Sequence, residues 1–537
     1  MELCTRKYGQ VLAVTLAGGL LVTGCGGGSS VDGPNGSYQR PPRYAAPESG
    51  GVTGGGATGG GARAGGAAQG AAQGAAQGTT EGAREGEDDG LRPSAPPADY
   101  LSTFGLDVDT AGYGYARRAL GQGRLPDAAT VRPEEFVNSF RQDYPRPQGD
   151  GFSVTVDGAA TAQPGWSLVR VGLATRDGAP ASERPPAALT FVVDVSGSMA
   201  EPGRLDLVRS SLALMLDRLR DDDSVALVTF SSEAETLLPM TRLAGARERI
   251  RTAVDALRTA DSTNVEAGVA RGYDVAVAGR RAGATNRVVL LSDALANTGA
   301  TSADAILERI EGARRAYGIT LSGVGVGSEY GDELMERLAD RGDGHTTYVS
   351  DTEEARTVFC EQLPAQVELR ARDAKAQVAF DPATVERFRL VGYENRKVAD
   401  GDFRNDGVDG GEVGAGHTVT ALYAVRLRAG ASGHVATATV RWLDPRTRAP
   451  HEESGRVEAS SLAAPLWSES DPRLQVSAVA AYLASALRAR SGGWEPLPGA
   501  VAPAALAGHA ERLARGTEDE DVRRLATAVR QASSLLG

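Results

Sequence analysis

Residues 189–198 have the sequence Leu-Thr-Phe-Val-Val-Asp-Val-Ser-Gly-Ser, in which an apolar run is followed by a carboxylate and two hydroxyls. A short apolar run bounded by turn-forming residues is typical of a strand that is buried on both faces. Serine and glycine form turns readily, so the strand is expected to end near Asp194. The stretch therefore predicts a central strand of a parallel sheet, with polar side chains at its carboxyl end.

The same kind of pattern extends over residues 186–370, where short apolar runs alternate with amphipathic helical stretches. The apolar runs are residues 189–195, 225–230, 236–240, 287–291, 319–326 and 346–349. The clearest helix has apolar residues every three or four positions, on one face: Leu205, Val208, Leu212, Met215 and Leu219. This alternation predicts an α/β fold, with a mostly parallel sheet wrapped by helices. The short gap between residues 230 and 236 predicts a hairpin, and hence one antiparallel edge strand in a mixed sheet.

Three separated segments of this block carry side chains that can supply oxygen ligands. Asp194, Ser196 and Ser198 come at the end of the first strand, Thr263 precedes a helix, and Asp293 follows the strand at 287–291. Because ligands of open α/β sheets bind beyond the carboxyl ends of the strands, we expect these side chains to face one crevice. Mg²⁺ prefers such oxygen ligands, with Mn²⁺ or Ca²⁺ as alternatives. The other interpretation is that these residues only cap a helix and close a turn.

This set of residues resembles the metal-ion-dependent adhesion site of the von Willebrand factor type A family. The resemblance implies a Rossmann-like domain with a bound cation that Ser196, Ser198 and Thr263 contact, while Asp194 and Asp293 bind it directly or through water. Neutral hydroxyls compensate the charge of the cation only in part, so the cation stays electrophilic toward another carboxylate. The expected partner is a protein that presents an acidic side chain.

Sequence on both sides of the block resembles the flanks of a group of bacterial type A lipoproteins. The matching segments are residues 101–144 and 377–423, including Gly-Tyr-Glu-Asn-Arg at 392–396 and Gly-Ala-Gly-His-Thr at 414–418. Two residues depart from the family pattern near the site. Ala294 stands where many relatives carry glycine, which affects loop geometry, and Asp261 adds charge close to Thr263.

The flanks contain β-type alternation that stops before residue 189 and resumes after residue 377. Residues 152–156 and 168–174 are expected strands, and residues 418–428 alternate as a half-buried strand does. Neither group has enough strands for its own core, which predicts one β-sandwich with the α/β domain inserted.

Helices are expected at 115–120 and 132–144, and two more near the C-terminus, the second opened by a capping box at residues 517–520. The predicted organisation is a signal peptide (1–24), a tether (25–97), an N-terminal flank (98–185), the type A domain (186–370), a β-rich flank (371–460) and a helical region (461–537).

The N-terminus has the features of an export signal: basic residues, an apolar stretch at 11–22, then Thr-Gly-Cys at 23–25. It resembles a bacterial lipobox, which implies that Cys25 becomes the lipidated first residue; a plain secretory peptide is the alternative. The Gly/Ala-rich stretch after it is typical of a flexible tether. We therefore expect a cell-envelope protein, anchored through lipid to the outer side of the cytoplasmic membrane or in the outer membrane.

Composition and motifs exclude several function classes. A formal charge of −12 without a stripe of clustered Lys and Arg argues against nucleic-acid binding. The five histidines lack metalloprotease spacing, and neither a serine-hydrolase elbow nor a phosphate loop is present. We expect no enzyme. Arg-Gly-Asp at 341–343 follows a helical stretch and is interpreted as its exit.

Three hypotheses for the function remain, in this order. The first is a module that binds a protein partner through a divalent cation. The second is a structural envelope scaffold with a vestigial metal site, and the third is a hydrolase with an unrecognised site. Metal dependence of partner binding separates the first two, and turnover of a peptide or glycan would be needed for the third.

Overall fold

The computed structural model describes residues 98–537 except 179–183, 261, 294–302, 328–334, 336–337, 340–341, 343, 364–366, 409 and 491–493. The expected signal peptide at 1–24, the tether at 25–97 and the lipidation site Cys25 lie outside the described residues. Among the helices that are described, none is long and apolar enough to cross a membrane.

The described chain contains strands and helices in the following order. The strands are β1 (Leu101–Gly105), β2 (Phe152–Ala160), β3 (Trp166–Thr175), β4 (Ala187–Asp194), β5 (Ser224–Phe230), β6 (Ala234–Arg242), β7 (Thr285–Ser292), β8 (Thr320–Val326), β9 (Thr346–Val349), β10 (Leu369–Phe380), β11 (Val385–Leu390), β12 (Val413–Gly414), β13 (Thr418–Leu427), β14 (His434–Leu443) and β15 (Pro450–Glu458). The α-helices are α1 (Ala111–Gly121), α2 (Pro133–Asn138), α3 (Leu205–Arg218), α4 (Arg247–Asp255), α5 (Val265–Ala278), α6 (Ala303–Tyr317), α7 (Thr352–Thr357), α8 (Pro472–Arg488), α9 (Pro503–Thr517) and α10 (Glu520–Leu536).

The α/β domain is built on a six-stranded sheet with the order β6-β5-β4-β7-β8-β9. All neighbours are parallel except β6, which pairs antiparallel with β5, so the predicted antiparallel edge strand is confirmed. Apolar residues of α3, α4 and α7 pack with one face of the sheet, and those of α5 and α6 with the other. The predicted apolar face of α3, from Leu205 to Leu219, is buried as expected.

β4 lies in the middle of this sheet, between β5 and β7. The chain reaches β5 through α3 and returns through α5 to β7 on the opposite side of β4, so the strand order reverses at β4. Crevices form at the carboxyl ends of strands where the order reverses in this way. The carboxyl edge next to β4 is therefore where a ligand of this fold is expected to bind.

The two flanks combine into one β-sandwich, as predicted. β3 pairs antiparallel with β13 in the sheet β11-β13-β3-β2, while β1, β10, β14 and β15 form the main path of the other sheet. Apolar side chains of both sheets, among them Val171, Ala421, Val378 and Val440, share one core. β1 was not predicted: it pairs with β10 and extends the sandwich at its edge.

Helices cover the second face of the sheet that contains β3 and β13. A core cluster joins Leu168 and Leu422 of this sheet with apolar residues of α1, α2, α8, α9 and α10. The expectation that β13 is half buried is therefore wrong, since Thr420 and Ala424 on its other face are each 1% exposed. The alternation in the sequence shows polar residues on that face. It does not show that helices from distant segments bury them.

Three helical details differ from the sequence-based expectation. α2 is shorter than predicted, because the chain leaves the helix after Asn138 and Asp143 takes a positive φ of 56°. An additional helix, α9, precedes the last one. The capping box at residues 517–520 is wrong: Asp519 is the N-cap of α10 and accepts from Asp521 N, whereas Thr517 Oγ1 donates to the Leu513 carbonyl at the end of α9.

Candidate functional site

The first and third predicted segments lie side by side at the carboxyl edge of the sheet. Asp194 is the last residue of β4, and Asp293 directly follows β7. The two strands are parallel neighbours, with Val193 opposite Leu291. Both carboxylates are almost completely buried, at 0% and 2% exposure.

The turn after β4 brings the two serine hydroxyls together. Asp194 Oδ1 accepts from Ser196 N at 2.8 Å, which folds the chain back over the strand end. Ser196 Oγ and Ser198 Oγ lie 3.1 Å apart, Ser196 buried and Ser198 half-buried. A tight helical turn at Gly197–Ala200 follows. Both hydroxyls therefore sit at the strand end beside one carboxylate.

Asp194 is held by hydrogen bonds on both of its carboxylate oxygens. Its Oδ2 accepts from Ser292 Oγ at 2.6 Å, and Ser292 is the last residue of β7. Burial raises the pKa of Asp194, the hydrogen bonds from Ser292 and Ser196 oppose this shift, and the nearby charge of Asp293 adds to it. The sequence analysis did not identify Ser292. A serine that ends an otherwise apolar strand, directly before Asp293, could have indicated that it belongs to the site.

The loop that carries Thr263 is fastened to the same strand ends. Ala260 N donates to the Val195 carbonyl at 2.6 Å, directly beyond β4. Asn264 N donates to the Ser231 carbonyl at 2.7 Å, directly beyond β5. Thr263 lies between these two anchors and is half-buried. Its loop thus borders the crevice next to Asp194.

Several positions named from the sequence lie outside the described residues. They are Asp261, Ala294 and two residues of the Arg-Gly-Asp stretch at 341–343.

Arg204, which sequence reasoning missed, links the two sides of the site. Its NH1 donates to Asp293 Oδ2 at 2.7 Å and to the Ser198 carbonyl at 3.0 Å. Its NH2 lies 2.7 Å from the largely exposed Glu201, and its own side chain is 3% exposed. One buried guanidinium therefore ties the serine turn to Asp293 and compensates one of the two site carboxylates.

A signal for Arg204 exists in the sequence. It occupies the N-cap position of α3 but makes no side-chain capping bond there. A cation at a helix N-terminus is unfavourable against the helix dipole, so it needs another partner. Gly327 provides the space: its φ is +105°, and a Cβ there would lie 2.9 Å from Arg204 Nε.

The donor set fits a hard divalent cation. Asp293 Oδ1 is buried and has no hydrogen-bond partner within the described part of the chain, while Oδ2 is held by Arg204. Buried carboxylate oxygens without a partner are rare and need an explanation such as an ion or water. Carboxylate and hydroxyl oxygens are the ligands that Mg²⁺ prefers.

A second group of metal-ligating side chains lies elsewhere, between the α/β domain and the flanks. Asp107 and Asp109 follow β1, and His345 directly precedes β9; all three are buried, and the group could hold a metal ion. Arg396 contacts both carboxylates, at 3.5 Å from Asp107 and 3.0 Å from Asp109. Burial favours the neutral imidazole, but the charge of Asp107 outweighs it and raises the pKa of His345.

Three family models match this chain. The von Willebrand factor type A domain matches residues 188–361, the model described as "Uncharacterized protein YfbK, C-terminal" matches residues 367–464, and the model described as "von Willebrand factor" matches residues 91–169. Among solved structures, the von Willebrand factor type A protein from Catenulispora acidiphila is 16% identical, with a TM-score of 0.43 over 72% of this chain and 91% of that one. The ArnB paralog VWA2 from Sulfolobus acidocaldarius is 14% identical, with a TM-score of 0.38 over 72% and 98%.

One bacterial protein is similar to this chain over most of its length. YfbK of Escherichia coli strain K12, described as an uncharacterized protein, is 32% identical over 409 residues, which cover 71% of this chain and 70% of YfbK. The matches to the type A domain and to the YfbK C-terminal region adjoin one another along the chain. The chain therefore belongs to the YfbK family, with a von Willebrand factor type A domain followed by the YfbK C-terminal region.

Proposed function

We propose that this protein is a lipid-anchored protein of the cell envelope that binds a protein partner through a divalent cation. Mg²⁺, or alternatively Mn²⁺ or Ca²⁺, would be held by Asp194, Ser196, Ser198, Thr263 and Asp293. The protein is a binding module and not an enzyme. Its attachment to the membrane is through lipid on Cys25.

The buried oxygen of Asp293 without a hydrogen-bond partner is the observation that carries this proposal. Among the described residues, Asp293 Oδ1 lacks a partner, although the carboxylate is 2% exposed. A cation at this edge would satisfy that oxygen together with Asp194 and the serine hydroxyls. Asp194 is oriented for this by Ser292, and Asp293 by Arg204.

The charge of the site supports an acidic partner. Asp194 and Asp293 bring two negative charges, and Arg204 offsets one of them. A divalent cation is then under-compensated, and when bound it supplies an electrophilic centre that favours an additional carboxylate. In a partner protein, the side chain of a glutamate or an aspartate supplies such a carboxylate.

Metal binding is tested by calorimetric titration of Mg²⁺ into the metal-stripped full-length protein. The double variant D194A/T263A should lose the binding isotherm. The matched control is D444A/T447A, which removes an aspartate and a threonine that bond to each other in an exposed hairpin turn. Unchanged Mg²⁺ binding in D194A/T263A would show that the site is assigned to the wrong residues.

Partner binding and anchoring need separate measurements. Crosslinking in envelopes, with Mg²⁺ and with chelator, should yield a partner only with the cation present, and replacement of its contacting acidic residue by the amide should abolish binding.

Mass spectrometry of the mature N-terminus should find acyl chains on Cys25, absent from C25S. An unmodified N-terminus would contradict the anchoring.

A scaffold with an unused metal site is the second candidate function. It is favoured by the Arg204–Asp293 ion pair, in which the protein supplies its own cation to one site carboxylate. This candidate predicts that partner capture is the same with chelator and in D194A/T263A. The crosslinking experiment therefore decides between the two functions.

A further inference from the structure

We propose that Asp107, Asp109 and His345, with His417 beside them, form a second metal site for a divalent ion that accepts both nitrogen and oxygen ligands, such as Zn²⁺. It lies where the two flanks meet the α/β domain. The proposal does not depend on the partner-binding function proposed above.

The group and the neighbouring His417 come from three separate parts of the chain. Asp107 and Asp109 lie in the segment between β1 and α1, His345 precedes β9, and His417 precedes β13. The ligand atoms of Asp107, Asp109 and His345 all lie within 4.8 Å of one another. The ring centroids of His345 and His417 are 5.6 Å apart. Asp107, Asp109 and His345 are 7%, 4% and 7% exposed, so this is an enclosed group and not a surface patch.

Several buried polar atoms at this place have no hydrogen-bond partner among the residues described. They are Asp107 Oδ1, His345 Nδ1, Thr346 Oγ1 and His417 Nδ1. Asp107 Oδ1 and His345 Nδ1 are 2.5 Å apart and form an ion pair when His345 is protonated. Thr346 Oγ1 and His417 Nδ1 lack even such a contact within the described chain, and buried polar groups without a partner cost free energy. A cation would bind the Asp107 oxygen and the His345 nitrogen at once, in place of the proton between them.

The surrounding contacts orient the carboxylates. Arg396 NH2 donates to Asp109 Oδ2 at 3.0 Å, and Thr346 N donates to Asp109 Oδ1 at 2.5 Å. Arg396 NH1 lies 3.5 Å from Asp107 Oδ2, which leaves Asp107 Oδ1 toward His345. Outer contacts of this kind fix metal ligands in orientation. With His345 neutral, as a metal ligand must be, two carboxylates and one guanidinium sum to one negative charge, which favours a cation.

The donor types separate this site from the one at the carboxyl edge. Imidazole nitrogen together with carboxylate oxygen suits Zn²⁺ and other transition metals, whereas Mg²⁺ prefers oxygen alone.

The flank segments that were singled out in the sequence meet at this group. Asp107 and Asp109 lie in the stretch at 101–144, Arg396 ends the stretch at 392–396, and His417 lies in the stretch at 414–418. The partner-binding proposal uses none of these side chains. A metal here would tie both flanks to the α/β domain, and its binding free energy would add to the stability of the whole assembly.

The test is titration of Zn²⁺ and of Co²⁺, as a visible-absorbing substitute, into the metal-stripped full-length protein. We expect one tightly bound equivalent, Co²⁺ absorption bands typical of nitrogen and oxygen ligands, and a higher melting temperature with Zn²⁺. H345Q should weaken binding by more than about 100-fold, since the loss of an outer contact alone costs 10- to 100-fold. The variant H451Q, at an exposed histidine of β15, is the matched control and should bind as wild type does.

Two further variants keep the outcome interpretable. D107N preserves the shape of the side chain and can replace an H345Q protein that does not fold. H417Q should weaken binding less than H345Q does, because His417 lies beside the group. D194A/T263A should keep Zn²⁺ binding here while losing Mg²⁺ binding at the other site. The proposal is overturned if folded wild type binds no Zn²⁺, or if binding survives in both H345Q and D107N. In the first case His345 serves as a protonated partner of Asp107.

Discussion

Replacement of Arg204 by glutamine should make the site at the carboxyl edge bind its cation more tightly while weakening the metal-free fold. The Arg204 and Asp293 side chains are 3% and 2% exposed, and their charges are 2.7 Å apart. Removing one partner of such a buried pair costs about 3–5 kcal/mol, because the other charge is left uncompensated. A bound cation gives Asp293 a new counter-charge. If the cation restores only about 1.4 kcal/mol of that loss, its affinity rises about tenfold by linkage.

The assay is Mg²⁺ calorimetry combined with thermal unfolding in chelator and in Mg²⁺. R204Q should unfold at a lower temperature than wild type in chelator, and Mg²⁺ should recover more of its stability than it adds to wild type. The control is R184Q, which breaks the pair of Arg184 with the buried Asp223 at the opposite edge of the sheet. It should destabilise without changing Mg²⁺ affinity. Weaker Mg²⁺ binding by folded R204Q would refute the charge argument and leave Arg204 as a purely orienting residue.

Three other substitutions have defined outcomes. Burial, with the charges of neighbouring carboxylates, raises the pKa of Glu135 from 4.5 to about 8, so the folded state holds a proton that the unfolded chain releases. Stability should therefore fall by up to about 1.4 kcal/mol per unit as pH rises across this window, and urea unfolding of E135Q should lack that slope. Gly327→Ala should lower the free energy of unfolding by about 1–3 kcal/mol, as measured by thermal unfolding. The loss should be larger than for Gly430→Ala, since Gly430 has a positive φ but no neighbour within 4 Å. Equal losses would rule out a steric effect at Arg204. R287M should cost about 1.5–3 kcal/mol because Glu412, like Arg287 2% exposed, loses the arginine at 3.4 Å and keeps Arg372 at 3.1 Å; adding E412Q should recover part of this, and a cost below about 1 kcal/mol would contradict the buried pairing.

The α/β sheet could be predicted from sequence because its signals are local. Each strand is a short apolar run, and Asp194 and Asp293 mark strand ends that parallel neighbours bring to one edge. The sandwich could also be predicted, since β-type alternation is interrupted by the α/β block. The side-chain contacts next to the site were harder to predict. An arginine at the start of α3 indicates that it needs a partner elsewhere, but the local pattern does not identify that partner as Asp293.

The group at the junction of the flanks could not be found from spacing at all. Its members come from segments more than 200 residues apart, with Asp107 paired to His345 and Asp109 to Arg396. No periodicity relates such positions, and each residue alone is an ordinary polar residue beside a turn. The second buried face of β13 was missed for the same reason, because α8 and its neighbours come from a different part of the chain.

α1 connects the two candidate metal sites by direct contacts. It begins two residues after Asp109 and runs for 11 residues, which is about 16 Å of helix. At its other end Arg118 donates to the Gly327 carbonyl at 3.2 Å and lies over the Tyr348 ring of β9. Gly327 in turn packs against Arg204, which holds Asp293. Because a packed helix moves as a unit, a displacement of α1 at the junction would also displace the groups that contact Arg204, the guanidinium that compensates Asp293. The flanks are therefore linked by contacts to the proposed cation site, although none of their residues is among its proposed ligands.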